Sequence, residues 1–267
     1  MRSQRAIFLV FSTLGFAKTD YSDTLLADMG IGMDQYDRNA RLKPALLVIL
    51  PAALAVVALT PDAVLGWSGG IALIVQAGGS FLLAQIVGDI GKKKEPKLFE
   101  YCGGRPTELL LSHAHAPNKV VLAERHRKLA KLFPKFRIPS ADAEKKDPKA
   151  ALDIHTACVD RIRGMARADK VKFPDVHREN IHYGFRRNLW GLKQYGIATA
   201  AVAVIVVCAD MAGSLMSHEP VHLAQPIIVA INLLLLLVWI FVVTRAWVKR
   251  AAMLYAERIL ETLDVLA

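Results

Sequence analysis

Two long apolar blocks, roughly 44–90 and 194–244, are the feature that most constrains the fold of this 267-residue chain. Most of the charged residues lie between and around these blocks. A membrane-spanning helix needs about 20 mostly apolar residues, and each block is long enough for two such helices joined by a short turn. The apolar share of the whole chain, 54%, is also at the edge of what one water-soluble domain uses. The pattern predicts an all-α membrane protein with four transmembrane helices in two hairpins and a helical cytoplasmic domain.

The four predicted transmembrane helices follow from where the apolar runs begin and end. They cover residues 44–60, 68–88, 195–215 and 227–244. The links within the two pairs, 61–67 and 216–226, are short enough for little more than turns. Pro51 lies inside the first helix and is expected to kink it, because proline lacks the backbone N–H and clashes with the preceding turn.

The distribution of lysine and arginine predicts the orientation of these helices. Residues 92–193 contain 24 lysines and arginines against 12 acidic residues, whereas the two links contain no lysine or arginine. The flanking segments 1–43 and 245–267 carry six and four basic residues. Because basic residues concentrate on the cytoplasmic side, we expect a multi-pass protein of the bacterial inner membrane with both termini in the cytoplasm.

The predicted organisation has five segments. They are an N-terminal cytoplasmic or interfacial segment (1–43), a first transmembrane hairpin (44–90), a basic cytoplasmic domain (91–193), a second hairpin (194–244) and a C-terminal cytoplasmic helix (245–267). Residues 1–17 carry two arginines followed by an apolar run, a pattern that resembles a short signal peptide. Cleavage after it would place the basic domain outside the cell, so an interfacial helix or a buried strand-like segment fits the charge distribution better.

Helical periodicity is predicted through the basic domain and the C-terminal tail. One helix is expected within 112–132, a second over 148–167 with Asp147 as its N-cap, and a third from about 176 directly into the third span. In the second helix, apolar residues recur at Ala151, Ile154, Cys158, Ile162 and Met165. The tail has a similar stripe, which favours packing on the basic domain or pairing between subunits: Ala252, Ala256, Ile259, Leu263 and Leu266.

Six polar residues within or beside the apolar blocks are candidate pore or intramembrane sites: Gln76, Ser80, Gln85, Asp89, Asp210 and Asn232. Polar groups inside a bilayer are costly, and they either bond neighbouring helices or line a path for water and ions. Asp89 is expected at the cytoplasmic interface, just before three lysines. Asp210 lies deeper in its span and is the better candidate for an ion site.

The candidate ligand-binding residues are basic and aromatic. A Gly-Gly turn at 103–104 precedes a helix start and is either a simple turn or a phosphate site. The basic, aromatic stretch 180–193 favours lipid head groups or a phosphate ligand with an aromatic ring stacked on its base. The full set for a nucleotide or phosphate is Arg105, Arg125, Arg127, Lys128, Tyr183, Arg186, Arg187 and Lys193.

Signatures of an enzyme are weak. Cys102, Cys158 and Cys208 are far apart and form no pair with the spacing of a zinc site. His113 and His115 have no further partner at metal-ligand spacing, and no GxSxG nucleophile motif occurs. We therefore expect a non-enzymatic protein without a cofactor or metal.

The motifs GGRPT (103–107), ERHRKL (124–129) and ENIHYGFRRNLWGLK (179–193) lie between the two apolar blocks. Over roughly residues 35–250 this arrangement resembles a family of uncharacterised bacterial four-span membrane proteins with GGxPT and YGFRRN..GLK motifs. The layout is also similar to membrane effectors of nucleotide-signalling anti-phage systems of the Hailong type. That resemblance implies a channel controlled by a DNA oligomer.

Three functions compete at this point. The first is an oligomeric membrane effector or ion channel in anti-phage defence, controlled by a nucleotide or single-stranded oligonucleotide on the basic domain. The second is a non-enzymatic membrane scaffold whose basic face binds anionic lipid. The third, a small transporter, lacks a convincing inverted repeat. The expected partners are membrane lipids and further copies of the same chain.

Overall fold

The computed structural model describes residues 34–60 and 79–267, and within these ranges the regular structure is helical, with no strand. Eleven α-helices are labelled here in chain order: α1 (Lys43–Leu59), α2 (Ser80–Cys102), α3 (Pro106–Leu109), α4 (Lys119–Leu132), α5 (Ala141–Lys146), α6 (Pro148–Ala168), α7 (Pro174–Gly191), α8 (Lys193–Met216), α9 (Ala224–Leu237), α10 (Arg245–Glu261) and α11 (Leu263–Leu266). Two π-helical segments, Asp37–Leu42 and Val238–Val242, directly precede α1 and follow α9.

The chain divides into two compact units. Among the described residues, the first unit contains those up to Lys93 together with Arg187–Thr244, and the second contains Lys94–Arg186 together with Arg245–Ala267. The C-terminal segment therefore belongs to the same unit as most of the basic region.

Three helices among the described residues are long and apolar enough to cross a membrane. They are Asp37–Leu59, Lys193–Met216 and Ala224–Val242, with 23, 24 and 19 residues. At about 1.5 Å per residue, each approaches or exceeds the roughly 30 Å of a bilayer core. They are compatible with a multi-pass membrane protein and coincide with the first, third and fourth predicted spans. The second predicted span, 68–88, lies largely outside the described residues, so the four-span arrangement in two hairpins stays a prediction.

The three candidate spans pack around an apolar core in the first unit. Helix α8 contacts both α1 and α9, and α9 also contacts α1. The core combines large and small side chains, which lets the helix backbones approach closely: Leu50, Leu54, Ala55, Val57, Ala58, Ala203, Val207 and Ile228. Pro51 is buried, and α1 continues through it. A Cβ atom at Gly196 would lie only 2.2 Å from the Trp239 ring, so glycine allows that ring to rest on α8.

The outer faces of these helices carry many large apolar side chains. Val202 and Ile205 on α8 and Leu234 on α9 are each more than half exposed, as is Phe241 just after α9. In water such a surface would be unfavourable, but it suits contact with lipid tails or with another hydrophobic subunit.

Caps define the helices of the second unit. The Asp147 side chain accepts a hydrogen bond from Ala150 N at 3.0 Å, so the predicted cap of α6 is confirmed. Helix α4 lies within the predicted range 112–132 and begins at Lys119. Asn118 caps it by accepting hydrogen bonds from the first-turn amides, while the chain from 112 forms turns.

The predicted continuous helix into the third span is interrupted by one residue. Helix α7 ends at Gly191 and α8 begins at Lys193. Between them, Leu192 has φ −86° and ψ 0°, outside ideal helical values. Gly191 weakens the helix at this point because glycine has a low helix propensity, and its Cα hydrogens face Gly91, where a Cβ would lie 3.2 Å from backbone atoms.

The C-terminal tail packs within the second unit. Helix α10 contacts α3 and α6, and α11 contacts α4. Four residues of the predicted stripe are buried and the last, Leu266, is half-buried: Ala252, Ala256, Ile259, Leu263 and Leu266. Two roles were predicted for the stripe, and within the second unit it packs on helices of the basic region.

Candidate functional site

A polar group of α8 and α9 lies within the candidate spans of the first unit. Gln225 Nε2 donates a hydrogen bond to Asp210 Oδ2 at 2.7 Å. Gln225 is 3% exposed and Asn232 is fully buried. Seven residues separate these two amides, which places them on the same face of α9, about 10 Å apart along the axis.

Three atoms of these two amides lack a partner. Gln225 Oε1, Asn232 Nδ2 and Asn232 Oδ1 are buried without a hydrogen-bond partner among the described residues. Most buried polar groups in proteins are hydrogen-bonded, so each exception calls for a physical explanation. Here the exceptions share one helix face inside a candidate span.

Asp210 differs from the two amides because it is exposed on the surface of the chain. A carboxylate on the lipid-facing side of a span is costly, and such groups normally face water or protein. Of the remaining predicted polar sites, Gln76 lies outside the described residues. Ser80 begins α2 and is half-buried, Gln85 is half-buried and Asp89 is exposed.

An aromatic and basic cluster lies on α7 and α10 of the second unit. The Arg186 guanidinium lies 4.9 Å from the Trp247 ring centroid, and its Nη1 donates to Trp247 O at 3.2 Å. Phe185 packs edge-on against the same indole ring. Burial lowers the pKa of Arg186, and the nearby positive charge of Arg250 lowers it further. Two guanidinium groups held near each other favour an anion between or beside them.

Tyr183 of the same helix is occupied by intramolecular contacts. Its hydroxyl donates to Glu95 Oε1 at 3.1 Å, and its ring stacks on Tyr255 with centroids 6.0 Å apart. Only 8% of the residue is exposed. These contacts make Tyr183 a packing residue. Its ring therefore offers little exposed surface for the predicted stacking on a ligand base.

The predicted basic residues of α4 lie beside carboxylates. Lys128 Nζ bonds Glu124 and Asp264 at 2.6 and 2.7 Å. Burial lowers the pKa of Arg125, and the carboxylates that oppose this effect are Glu257, Glu261 and Asp264. Arg127 is exposed. Of this group, Arg127 is therefore the side chain best placed to meet a large anion.

The Gly-Gly turn before α3 has a conformational explanation. Gly103 and Gly104 have φ values of 85° and 144°, which side-chain-bearing residues rarely adopt. Arg105 is the N-cap residue of the four-residue α3, and its guanidinium is 3.5 Å from Glu108 Oε1. The conformation of the turn is enough to explain the two glycines, without a bound ligand.

Two predicted ligand residues, Arg187 and Lys193, belong to the first unit. Arg187 is 5% exposed and donates from Nε and Nη2 to Asn188 Oδ1, both at 3.1 Å. Asn188 Nδ2 in turn donates to Ala40 O at 2.6 Å. Lys193 Nζ donates to Ile240 O at 2.9 Å. These contacts tie helices together.

Three histidines of the second unit, which the sequence reasoning missed as a group, form a cluster with one T-shaped and one tilted ring contact. The rings of His113 and His126 are 4.8 Å apart, and those of His126 and His155 are 5.5 Å apart. Burial lowers the pKa of His155 to about 4, and its Nε2 has no partner among the described residues. The available signal was a histidine within the buried stripe of α6, four residues after Ala151.

Glu144 of α5 borders this cluster. Ser112 Oγ donates to its Oε1 at 2.5 Å, and the His113 N–H donates to its Oε2 at 2.8 Å. Burial alone raises the pKa of Glu144, but these hydrogen bonds outweigh it and the pKa is lowered. Among the described residues, no group of three or more histidine, cysteine or acidic side chains is arranged to hold a metal ion.

The cysteines are free thiols. Burial raises the pKa of Cys158 to about 11 and also raises that of Cys102, so both thiols are protonated at neutral pH. Protonated thiols are poor nucleophiles.

No protein-family model, curated protein or solved structure matches this chain.

Proposed function

We propose that the chain is an oligomeric membrane effector that conducts ions in bacterial anti-phage defence, and that a nucleotide or oligonucleotide on its basic region controls it. In this proposal the protein is not an enzyme. It lies in the bacterial inner membrane with both termini in the cytoplasm.

The observation that carries the proposal is the polar group on α8 and α9. Asp210 is exposed within a candidate span and bonds the buried Gln225. A carboxylate at the centre of a bilayer costs about 2.5–3.5 kcal/mol. Asp210 lies nearer the end of α8, where the cost is smaller, and it is smaller again where the carboxylate meets water or another subunit. An aqueous path that reaches Asp210 through the bonded Gln225 removes this cost. A scaffold that only needs anchoring has no use for such a group.

Control by an anionic ligand is supported by the charge of the basic region. Residues 92–193 carry 24 lysines and arginines against 12 acidic residues. Nucleic acids bind such regions with release of counterions, so their affinity falls steeply with salt. Because several basic side chains bond carboxylates, exposed Arg127 and the Arg186 cluster are the strongest candidates for phosphate contacts.

The proposal is tested with the purified full chain, first as particles in detergent and then in vesicles. Expected results are an oligomer and a K⁺ flux that changes when a short single-stranded DNA is added. Arg127→Ala and Arg186→Ala are each expected to weaken DNA binding and to reduce the slope of log affinity against log salt by about 0.7.

Lys149→Ala, at an exposed position of α6, serves as the matched control and should change neither value. In cells, expression should depolarise the membrane and arrest growth. A monomeric particle that conducts nothing with or without DNA contradicts the proposal.

A second candidate, the lipid-binding scaffold, is favoured by the aromatic and basic cluster. Besides the Arg186–Trp247 contact, Lys249 Nζ lies 5.6 Å from the Tyr101 ring centroid. Tryptophan, tyrosine and basic residues of this kind commonly contact lipid head groups at a membrane interface. This function predicts that phosphatidylglycerol co-purifies with the protein, that Arg186→Ala reduces the amount bound, and that vesicles containing the protein stay impermeable to K⁺.

A further inference from the structure

We infer that α9 carries a hydrophobic gate for monovalent cations inside each protomer, with Ile228 as the barrier between two polar positions formed by Gln225 and Asn232. This inference rests on the proposed function and specifies its ion class, its route and its closed state.

The three gate residues follow helical spacing along α9. Gln225, Ile228 and Asn232 are spaced by three and four residues, so they follow one another on a single helix face. All three are buried, at 3%, 0% and 0% exposure. The face therefore alternates between polar, apolar and polar within two helical turns.

Helices of the same chain surround this face. Ile228 belongs to the core cluster that includes Leu54 of α1 and Ala203 of α8. Chain neighbours of Asn232 on the same side, Ile231 and Leu235, pack against that cluster too. The polar positions therefore lie between helices of one protomer. A path along them is separate from any central opening between subunits.

The polar atoms on either side of Ile228 suit a cation. The available oxygen atoms are the carboxylate of Asp210, bonded to Gln225, and the unpartnered Gln225 Oε1 and Asn232 Oδ1. Neutral and anionic oxygens suit a hard cation such as K⁺ or Na⁺ and disfavour an anion. The unpartnered Asn232 Nδ2 is a hydrogen-bond donor and can donate to water. A cation at this position therefore keeps part of its hydration shell.

Ile228 forms the barrier between the two polar positions. Isoleucine at Ile228 places a fully buried apolar side chain between the two polar positions. Narrow apolar constrictions block ions because water withdraws from them, and a small separation of the helices restores the water. The closed state thus follows from packing of α9 on α1 and α8, and movement of these helices opens it.

The experiment measures cation flux from vesicles that contain the full-length protein. Ile228→Ser is expected to raise K⁺ flux without DNA by about tenfold, the factor given by a barrier lowered by about 1.4 kcal/mol. Ile227→Ser is the matched control, because Ile227 is adjacent on α9 but 50% exposed. It should leave the flux unchanged.

Two further variants act in other directions. Asn232→Leu fills the polar position with an apolar side chain and should abolish the leak of Ile228→Ser when the two changes are combined. Asp210→Asn should reduce the preference for K⁺ over Cl⁻, read from the reversal potential in a KCl gradient. Particle size in detergent confirms that each variant is assembled.

The outcomes separate this inference from the proposed function. If the unaltered protein conducts but the Ile228→Ser and Asn232→Leu variants conduct as it does, the gate is wrong and the channel function stands. If Ile227→Ser leaks as much as Ile228→Ser, the route through the protomer is also wrong. If Ile228→Ser is assembled and conducts nothing, the gate is overturned whatever the unaltered protein does.

Discussion

The first unit buries two asparagines completely, and their surroundings are opposite. Asn188, near the end of α7, has partners for both amide atoms: Nδ2 donates to Ala40 O, and Oδ1 accepts two hydrogen bonds from Arg187. Asn232, in the middle of α9, has no partner for either amide atom among the described residues.

Asn188 therefore has a structural role, whereas the packing of the helices gives no reason for a polar side chain at Asn232. A satisfied buried amide stabilises the fold modestly, and its removal is expensive because its partners stay buried. An unsatisfied amide lowers stability, so leucine in its place should be an improvement. The two sites therefore predict opposite results for the same substitution.

The largest expected effect is that of Asn188→Leu. The change removes the acceptor of two guanidinium hydrogen bonds and the donor to Ala40 O, and it should lower the free energy of unfolding by about 3 kcal/mol. The midpoint of denaturant-induced unfolding in detergent measures this loss. Gln194→Leu, on the exposed side of α8, is the control and should change little. A loss at Asn188 no larger than the control's contradicts the structural role.

The next effect is that of Gly91→Ala. Its Cβ would lie 1.9 Å from Asn188 Oδ1, so the amide or the helix must shift. We expect a loss of about 2 kcal/mol, in the range of overpacked cores. Gly213→Ala is the control, because no heavy atom lies within 4 Å of its Cβ position. If Gly91→Ala is as well tolerated as Gly213→Ala, α2 and α7 do not pack as described around Asn188.

His155 extends the comparison to the second unit, because its Nε2 is also buried without a described partner. His113, His126 and Glu144 are the titratable groups that contribute to its surroundings. Its pKa in the folded chain is lowered to about 4, whereas the unfolded chain binds a proton near 6.5. The contribution of neutral His155 to the free energy of unfolding is therefore fully present above pH 6.5. It is lost as the pH falls between these values and reaches its minimum below pH 4.

Acidification from about pH 8 to about pH 5.5 should thus cost about 1.4 kcal/mol through His155 alone. Thermal unfolding of the second-unit helices, followed at both pH values, measures this change. His155→Gln, which does not titrate, should remove that part of the pH dependence, whereas His222→Asn at an exposed position should retain it. Equal pH dependence in the unaltered protein and the His155→Gln variant counts against the buried neutral imidazole.

The smallest expected effect has the opposite sign. Asn232→Leu should raise the free energy of unfolding by about 1 kcal/mol, because it replaces unsatisfied polar atoms with an apolar side chain. The same denaturation assay used for Asn188 measures it. A loss of stability at Asn232 as large as that at Asn188 would show that Asn232 has structural partners, and the comparison would fail.

The sequence predicts the local features of this molecule well. Three candidate spans are readable because the bilayer requirement acts on consecutive residues. The cap at Asp147 is readable because its partner, Ala150, lies three residues away. The predicted range 112–132 contains α4 but does not give its start at Lys119, because the turns before it include Ser112, which contacts Glu144 across 32 positions of the chain.

The candidate site likewise has features that the sequence shows and features that depend on helix packing. The polarity of Asp210 and Asn232 is visible in the sequence, but the partners of their side chains are set by helix packing. Lys128 was predicted as a ligand residue, yet it bonds Asp264 at a separation of 136 residues, which no local pattern reveals. The exposed Arg127, one residue before it, has the same sequence signal and a different environment.

Ion flux through vesicles containing the purified full-length chain tests the central claim most directly, with a short single-stranded DNA present or absent on the side of the basic region. We expect a K⁺ flux that changes when the DNA is added. High salt should remove this effect of the DNA, and Asp210→Asn should make the flux less selective for cations. Vesicles that contain assembled protein and stay impermeable to K⁺ under both conditions would contradict it.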